Sequence, residues 1–332
     1  MVVPVFGRSR ELRRCLDALL SQREPPSAEV LVVDDGSRPA VCLHGVPVPS
    51  PGTELRVIRQ EHAGVAAARN RGIALARGRL VVFVDSDVVP DPGFLLALAS
   101  AARAHPLAPA FQARLVGNPE RFTWRIEGAR LEATQGRLLR PDGTMAYLNT
   151  SAVAVRRPLP DLPPVPGRPI AGRGPDGDAA AVPGRPSDLF EVGVRRGEDT
   201  LLLLRLRRAG TLPVWVPQAV AQHRPTGTLG AYLGRHLRIG YLDAESRRRA
   251  GAVGGLVTGS ERLRFLGPLL AGSGGGPRGR IVFLLALVAF ALEVVGRLAG
   301  TAVHGLRPHG PRPLRAGRGE PGSSTVQDSR RW

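Results

Sequence analysis

Short apolar runs alternate with amphipathic stretches through the first third of the chain. Val2–Phe6, Glu29–Val33, Leu55–Arg59 and Leu80–Val84 are runs of strand length. Between them, Ser9–Leu20 places Leu12, Leu16, Leu19 and Leu20 on one helical face, with Ser9 as a plausible N-cap. Residues 38–53 form a Pro-rich loop. Gly64–Arg77 is an Ala-rich helix that stops at Gly78, and Pro92–His105 is a further helix. Strands alternating with helices, the strands themselves apolar, predict a parallel sheet covered on both faces. Ligands bind beyond the C-terminal strand ends of such sheets, where Asp34, Asp35, Asp85 and Asp87 all stand.

The pattern then loosens. Phe111–Val116 and Ala152–Arg156 read as strands around a mixed segment holding Trp124 and Tyr147. Residues 158–188 are dense in Pro and Gly and poor in large apolar residues, which predicts a mobile or disordered insertion. Gly197-Glu198-Asp199 opens a periodic helix, Thr200–Ala209, that ends at Gly210; Leu212–Val216 is a strand leading to Ala219–His223. Residues 229–249 read as a basic helix with Tyr232, His236, Tyr241 and an Arg247-Arg248-Arg249 cluster. Residues 281–292 are uninterruptedly apolar, and the helix reaches about Val303, with Glu293 and Arg297 spaced to pair at i, i+4. A bilayer span takes about 20 residues, so transmembrane, interfacial and buried placements are all open, with membrane association favoured by the flanking Arg and Gly residues.

Composition sharpens this picture in two places. The 332 residues carry a net charge of +18 with no Lys, and the charge is uneven. Residues 1–200 hold 26 Arg against 22 acids, residues 201–332 hold 20 Arg against 6. The basic half suits an anionic membrane surface or nucleic acid, but no helix-turn-helix, zinc finger or aromatic-basic platform accompanies it, so nucleic acid is not expected. The two cysteines, Cys15 and Cys42, have no metal-ligand spacing and imply no disulfide framework. The first residues read as a strand rather than a signal peptide.

The sharpest chemical signal is Asp85-Ser86-Asp87 at the end of Leu80–Val84. Side chains at i and i+2 project to the same side of an extended chain. Two carboxylates there repel unless a cation intervenes, and a hard divalent metal carrying a diphosphate fits. The plainer reading is an Asp-rich turn. Four elements now stand in order: Val3-Pro4-Val5-Phe6; Val32-Val33-Asp34-Asp35-Gly36-Ser37; Gly64-Val65-Ala66-Ala67-Ala68-Arg69-Asn70 followed by Phe83-Val84-Asp85-Ser86-Asp87; and Gly197-Glu198-Asp199-Thr200 with Arg205-Leu206 one turn later. The set resembles the family 2 glycosyltransferases of the GT-A fold, over roughly residues 1–225.

The resemblance implies an α/β fold: a Rossmann-like, mostly parallel sheet flanked by helices, with a C-terminal helical extension. It implies residues 1–105 as the nucleotide-binding half and 106–225 as the acceptor half; 226–304 then follow as a basic helical region carrying the apolar helix 281–303, and 305–332 as a disordered tail. Pro4 and Phe6 would line the nucleotide pocket, and Asp34 and Asp35 would offer a carboxylate to the base. Arg69 would reach the base edge or diphosphate, and Asp85 the ribose or the water shell of the metal. Asp87 would ligate Mn²⁺ or Mg²⁺, with His223 at the diphosphate or metal. Asp199 would be the catalytic base, while Asn149, Ser151 and Glu198 lie on the acceptor side. The sequence departs from the family at Gly7-Arg8, where Asn or Asp is usual, and before the Glu-Asp pair, where only Phe190-Glu191 match the expected stretch.

Elementary chemistry supports these roles. A leaving diphosphate develops negative charge, which a divalent cation stabilises as a Lewis acid. An acceptor hydroxyl needs a carboxylate to take its proton. One direct displacement inverts the anomeric centre. The expected partners are a nucleoside-diphosphate sugar and a hydroxyl acceptor: a lipid-linked sugar, a polysaccharide precursor or a small metabolite. The expected location is the cytoplasmic side of a membrane, or the cytoplasm. A non-catalytic nucleotide-sugar-binding protein is the alternative, with a nucleic-acid-binding protein or a nucleotidyltransferase behind it.

Overall fold

The computed structural model describes residues 1–7, 9–23, 27–47, 49, 52–118, 120–158, 162–163, 188–193, 196–224, 227–249 and 266–305. The greater part of the 158–188 insertion, Arg8 and the 306–332 tail lie outside the described residues, as do the side chains of Arg247, Arg248 and Arg249.

Eight strands form one sheet. They are β1 (Val2–Val5), β2 (Ala28–Asp34), β3 (Thr53–Arg59), β4 (Leu80–Val84), β5 (Val88–Pro90), β6 (Ala110–Val116), β7 (Ala152–Arg156) and β8 (Val214–His223). Their spatial order is β3-β2-β1-β4-β7-β6-β8-β5. The first four are parallel, as the alternation with helices predicts. The second half is mixed: β7 runs against both β4 and β6, β8 runs with β6, and β5 runs against β8. The expected mostly parallel sheet is observed, its continuous parallel run β3-β2-β1-β4 lying in the nucleotide half and its antiparallel pairs beyond it. The reason is connectivity: β7 follows a helix that does not cross over the sheet to a parallel position. Ala219–His223 is not a separate strand but the continuation of β8 past a register shift at Ala113/Arg114.

Helices α1 (Ser9–Leu20), α2 (Val65–Leu75), α3 (Phe94–Ala104), α4 (Phe122–Leu138) and α5 (Glu198–Arg208) flank the sheet. Strand alternation divides the core. Val3, Val5, Val30 and Val32 pack with Leu12, Leu16 and Leu98 on one face. Val2, Leu31 and Val33 pack with Ala68, Ile73, Leu202 and Leu206 on the other.

Helix α4 was not legible as a helix. Its buried positions include Thr123, Glu127 and Gln135 beside Ile126, Ala129 and Leu131, so no clean apolar stripe marks it. Gln135 instead locks it to β6 by bonding both N–H and C=O of Leu115 at 2.8 and 2.7 Å. A third cluster joins Ile126, Ala129 and Ala133 of α4 to α6 (Leu229–Arg249), α7 (Leu266–Ser273) and α8 (Gly276–Gly305). Glu293 and Arg297 do not pair with each other as their spacing suggests. Glu293 takes Arg130 of α4 at 2.5 Å and His236 of α6 at 2.7 Å, while Arg297 binds Asp243 of α6 at 3.0 Å. Among the described residues, α8 is the one helix long and apolar enough to cross a membrane by length and composition.

Candidate active site

Because β1 lies between β2 and β4, the C-terminal ends of all three open on one place. A cleft of about 510 Å³ occupies it. Pro4, Phe6, Asp35, Arg69, Asp85, Asp87, Asn149, Ser151, Glu198, Asp199 and His223 all line this cleft, so eleven residues marked by sequence converge there from seven separate stretches.

Asp34 does not line it. Adjacent strand residues point to opposite sides, and Asp34 turns inward, almost fully buried. Its carboxylate accepts from Ser37 N at 2.8 Å, Val41 N at 3.2 Å and Arg59 Nη1 at 2.7 Å. Burial works to raise its pKa, but Ser37, Val41 and Arg59 hold it below the ordinary value. Its work is to brace the loop after β2. Asp35 faces the cleft and ties it to the head of α2, accepting from Gln60 Nε2 at 2.8 Å, Ala63 N at 2.9 Å and Gly64 N at 2.9 Å. His62, unmarked by sequence, brings Nδ1 to 2.9 Å from Asp35 and stacks its ring on Phe6 with centroids 4.3 Å apart. The two exposed rings form an aromatic rim above a carboxylate.

Arg69 departs from its expected role. It is buried, and it spans two carboxylates: Nη2 donates to Asp85 Oδ1 at 2.6 Å and Nη1 to Glu198 Oε1 at 2.7 Å. The other oxygen of Asp85 accepts from Ser151 Oγ at 2.7 Å. A line of bonds thus crosses the cleft floor from β4 to the head of α5. Burial favours protonating Asp85, yet Arg69, Ser151 and His223 keep it ionised below its ordinary range. Ser151, expected on the acceptor side, serves Asp85 instead. Asn149 stays at the cleft wall, its amide donating to Tyr147 Oη at 2.8 Å and its carbonyl oxygen accepting from Ser151 N at 2.9 Å.

Asp199 sits half-buried one residue into α5, accepting from Thr200 N at 2.7 Å. Burial and the neighbouring Glu198 charge push its pKa up to about 6. Nearby, Asn70 exchanges bonds with Phe190, Nδ2 to O at 2.7 Å and N to Oδ1 at 2.9 Å, so Phe190 seats against Phe83. Arg205 bonds the carbonyls of Leu162, Pro163, Asp188 and Leu189, fastening both described flanks of the insertion.

On the opposite wall, His223 at the end of β8 brings Nε2 to 3.8 Å from Asp87 Oδ1. Its Nδ1 lies 3.2 Å from Glu127 of α4. Burial lowers the His223 pKa, but the bond to Glu127 and the charge of Asp87 more than offset it and raise the ring above its ordinary value. Glu127, Arg196, Arg235 and Ile239 also line the cleft. Sequence reasoning missed them because they belong to no motif. The only signal for Glu127 was a carboxylate in a segment otherwise rich in buried positions.

For a divalent metal, the donor set fits at two side chains. Asp87 and His223 face each other across a gap, whereas both oxygens of Asp85 are already engaged. Among the described residues no group of three or more His, Cys, Asp or Glu side chains is gathered for a metal.

The model of the family described as Glycosyl transferase family 2 matches residues 1–161. Glycosyltransferase AglE of Haloferax volcanii is 34% identical over 97 residues, covering 29% of this chain and 32% of that protein. The pre-mycofactocin glycosyltransferase of Mycobacterium tuberculosis is 29% identical over 229 residues, covering 67% of this chain and 42% of that protein. The matches span less than a third of the length of the first curated relatives. The solved mannosyltransferase PcManGT from Pyrobaculum calidifontis, in complex with GDP-Man and Mn²⁺, is 18% identical, with a TM-score of 0.49 over 92% of this chain and 86% of its own. The chain carries a family 2 glycosyltransferase domain over residues 1–161.

Proposed function

We propose that this chain is an inverting, metal-assisted glycosyltransferase that moves a sugar from a nucleoside-diphosphate donor to an acceptor hydroxyl. The observation that carries the reading is the single cleft in which strand-end carboxylates face a helix-head aspartate with a raised pKa. The Phe6–His62 rim offers the base a stacking surface, held in place by Asp35 beneath His62. Asp87 and His223 would hold the Mn²⁺ or Mg²⁺ ion, which supplies Lewis-acid stabilisation to the leaving diphosphate. Arg235 presents a further cation at the same wall.

Asp199 takes the proton of the acceptor hydroxyl as its oxygen attacks C1 of the sugar. The C1–O bond to the diphosphate breaks, the new glycosidic bond forms on the opposite face, and the electron pair leaves with the diphosphate. A pKa near 6 leaves Asp199 mostly ionised at neutrality and still basic enough to accept the proton. Arg69 pins Glu198 and Asp85 by hydrogen bonds rather than reaching the substrate, so the base stands on a fixed floor. The acceptor enters past Asn149 and Arg196. The apolar outer face of α8 meets a membrane surface from the cytoplasmic side, and the acceptor is a lipid-linked sugar, a polysaccharide precursor or a small metabolite.

The test is calorimetry and thermal shift with UDP-, GDP- and dTDP-sugars, each with Mn²⁺ or Mg²⁺, on the wild type and Asp87→Ala. Metal-dependent binding of one nucleotide class, lost in Asp87→Ala, is the expected result. A folded protein that binds none of these donors overturns the reading and leaves a non-catalytic domain of the same fold.

A further inference from the structure

We propose that Glu127 is a positioning residue for His223: it fixes the imidazole so that Nε2 is turned toward Asp87. This rests on the donor-site reading given above. Glu127 is a buried carboxylate in the middle of α4, with Oε1 3.2 Å from His223 Nδ1. Its other oxygen accepts from Tyr232 Oη of α6 at 2.7 Å. Arg130 Nε at 4.0 Å, Arg235 Nη2 at 3.9 Å and His236 Nε2 at 3.8 Å surround it without closer contact.

A carboxylate is costly to bury unless it is paired and hydrogen-bonded. Here the nearest partners are one ring nitrogen and one phenol, each claiming a different oxygen. An imidazole whose Nδ1–H is held by a carboxylate keeps its Nε2 lone pair for a ligand, and its ring plane cannot rotate. Nε2 is the atom that faces Asp87 at 3.8 Å. Tyr232 belongs to α6, outside the matched residues 1–161, and the same helix sends Arg235 and Ile239 into the cleft. Helix α6 is therefore a wall of the site rather than an appendage to it.

The first measurement is the tautomer of His223 in ¹⁵N-histidine-labelled wild-type protein, assigned with His223→Gln. A protonated Nδ1 and a bare Nε2 at pH 8 are expected; the reverse tautomer overturns the proposal without any variant of Glu127. The second is Mn²⁺ affinity, by electron paramagnetic resonance with a nucleoside diphosphate present. Glu127→Ala is expected to weaken it about 10- to 100-fold. Tyr232→Phe, which removes one bond to Glu127 but leaves His223 its partner, is expected to stay within about threefold of wild type by the same reasoning. If Glu127→Ala does not fold, Glu127→Asp withdraws the carboxylate by one methylene and is expected to weaken Mn²⁺ several-fold. A folded variant with unchanged Mn²⁺ affinity and an unchanged His223 tautomer makes Glu127 a purely structural anion. Wild-type protein that binds no Mn²⁺ at all sinks the donor-site reading instead, while the tautomer still decides whether Glu127 sets His223.

Discussion

A carboxylate that holds its proton up to about pH 6 is a stronger base at neutrality than an ordinary one, and Asp199 is such a group. In the proposed reaction Asp199 acts in its ionised form, so kcat is expected to fall about tenfold per pH unit below about 6, read from initial rates between pH 5 and 8. The same shift has a sign for stability. The folded-state value lies above the ordinary 3.8, so the fold prefers the protonated acid. That preference stabilises the protein fully below about 3.8 and is lost as pH rises through about 6. Asp199→Asn is therefore expected to cut transfer about 10²- to 10⁴-fold. It is also expected to raise stability at pH 7.5 by roughly 1–3 kcal/mol, the range a two-unit shift on a half-buried group allows. A lower melting temperature in Asp199→Asn would assign the residue to structure rather than chemistry. Arg69 makes the opposite prediction. Its removal leaves Asp85 and Glu198 without their shared cation, and Arg69→Ala is expected to cost about 3–5 kcal/mol in denaturant unfolding. Near-wild-type stability would mean that Arg69 is spent on ligand after all. At this scale the sequence marked the right residue types but not their partners. Asp34 and Asp35 carry equal weight in a motif, yet strand alternation lets only one face the cleft. The Arg69 bridge joins residues 16 and 129 positions apart, a separation no local pattern reports.

Elements were legible where one face is apolar and obscure where burial is polar. Helix α1 was read at its observed bounds because its leucines fall on one stripe. Helix α4 was missed because Glu127 and Gln135 are buried for bonding, not for hydrophobicity. The helices α6 and α8 were each read from the sequence, but their close packing was not. A Cβ at Gly240 would overlap the carbonyl oxygen of Glu293, and one at Gly296 that of Leu237, so the two backbones touch where side chains are absent. Gly234 lies on the same helix α6 with nothing within 4 Å of its Cβ position. Gly240→Ala is therefore expected to destabilise by about 1–3 kcal/mol through overpacking. Gly234→Ala is expected to stabilise by roughly 0.5–1 kcal/mol through helix propensity alone. The pair of melting temperatures separates close backbone approach from generic helix effects, and equal shifts would mean that α6 and α8 do not meet this closely.

At the scale of the whole molecule, α8 has two faces with different obligations. Its inner face is fastened: Glu293 to α4 and α6, Arg297 to α6, and Val282, Ala286 and Ala289 into the shared core. Its outer face leaves Ile281, Leu284, Val288, Val295 and Leu298 exposed, at intervals of three, four, seven and three that keep them on one face over several turns. These side chains carry no charge among them, and residues 201–332, the part of the sequence to which they belong, hold 20 Arg against 6 acids. A helix tied to the domain through Glu293 and Arg297 keeps those bonds if it lies against a bilayer and loses them if it crosses one. The expected arrangement is therefore a helix resting in the membrane surface, its apolar stripe buried and the Arg excess facing anionic headgroups. Co-sedimentation with vesicles containing anionic lipid is expected for the full chain, and much less with purely zwitterionic vesicles. Leu284→Glu together with Leu298→Glu should release the protein into the supernatant while metal and nucleotide binding persist, because neither side chain touches the cleft. Retention of the double variant in the membrane fraction, resistant to alkaline extraction, would mean that α8 crosses the bilayer. Absence of wild-type protein from every vesicle preparation, with a dimer in solution that the double variant abolishes, would mean that the stripe is covered by a second copy of the chain.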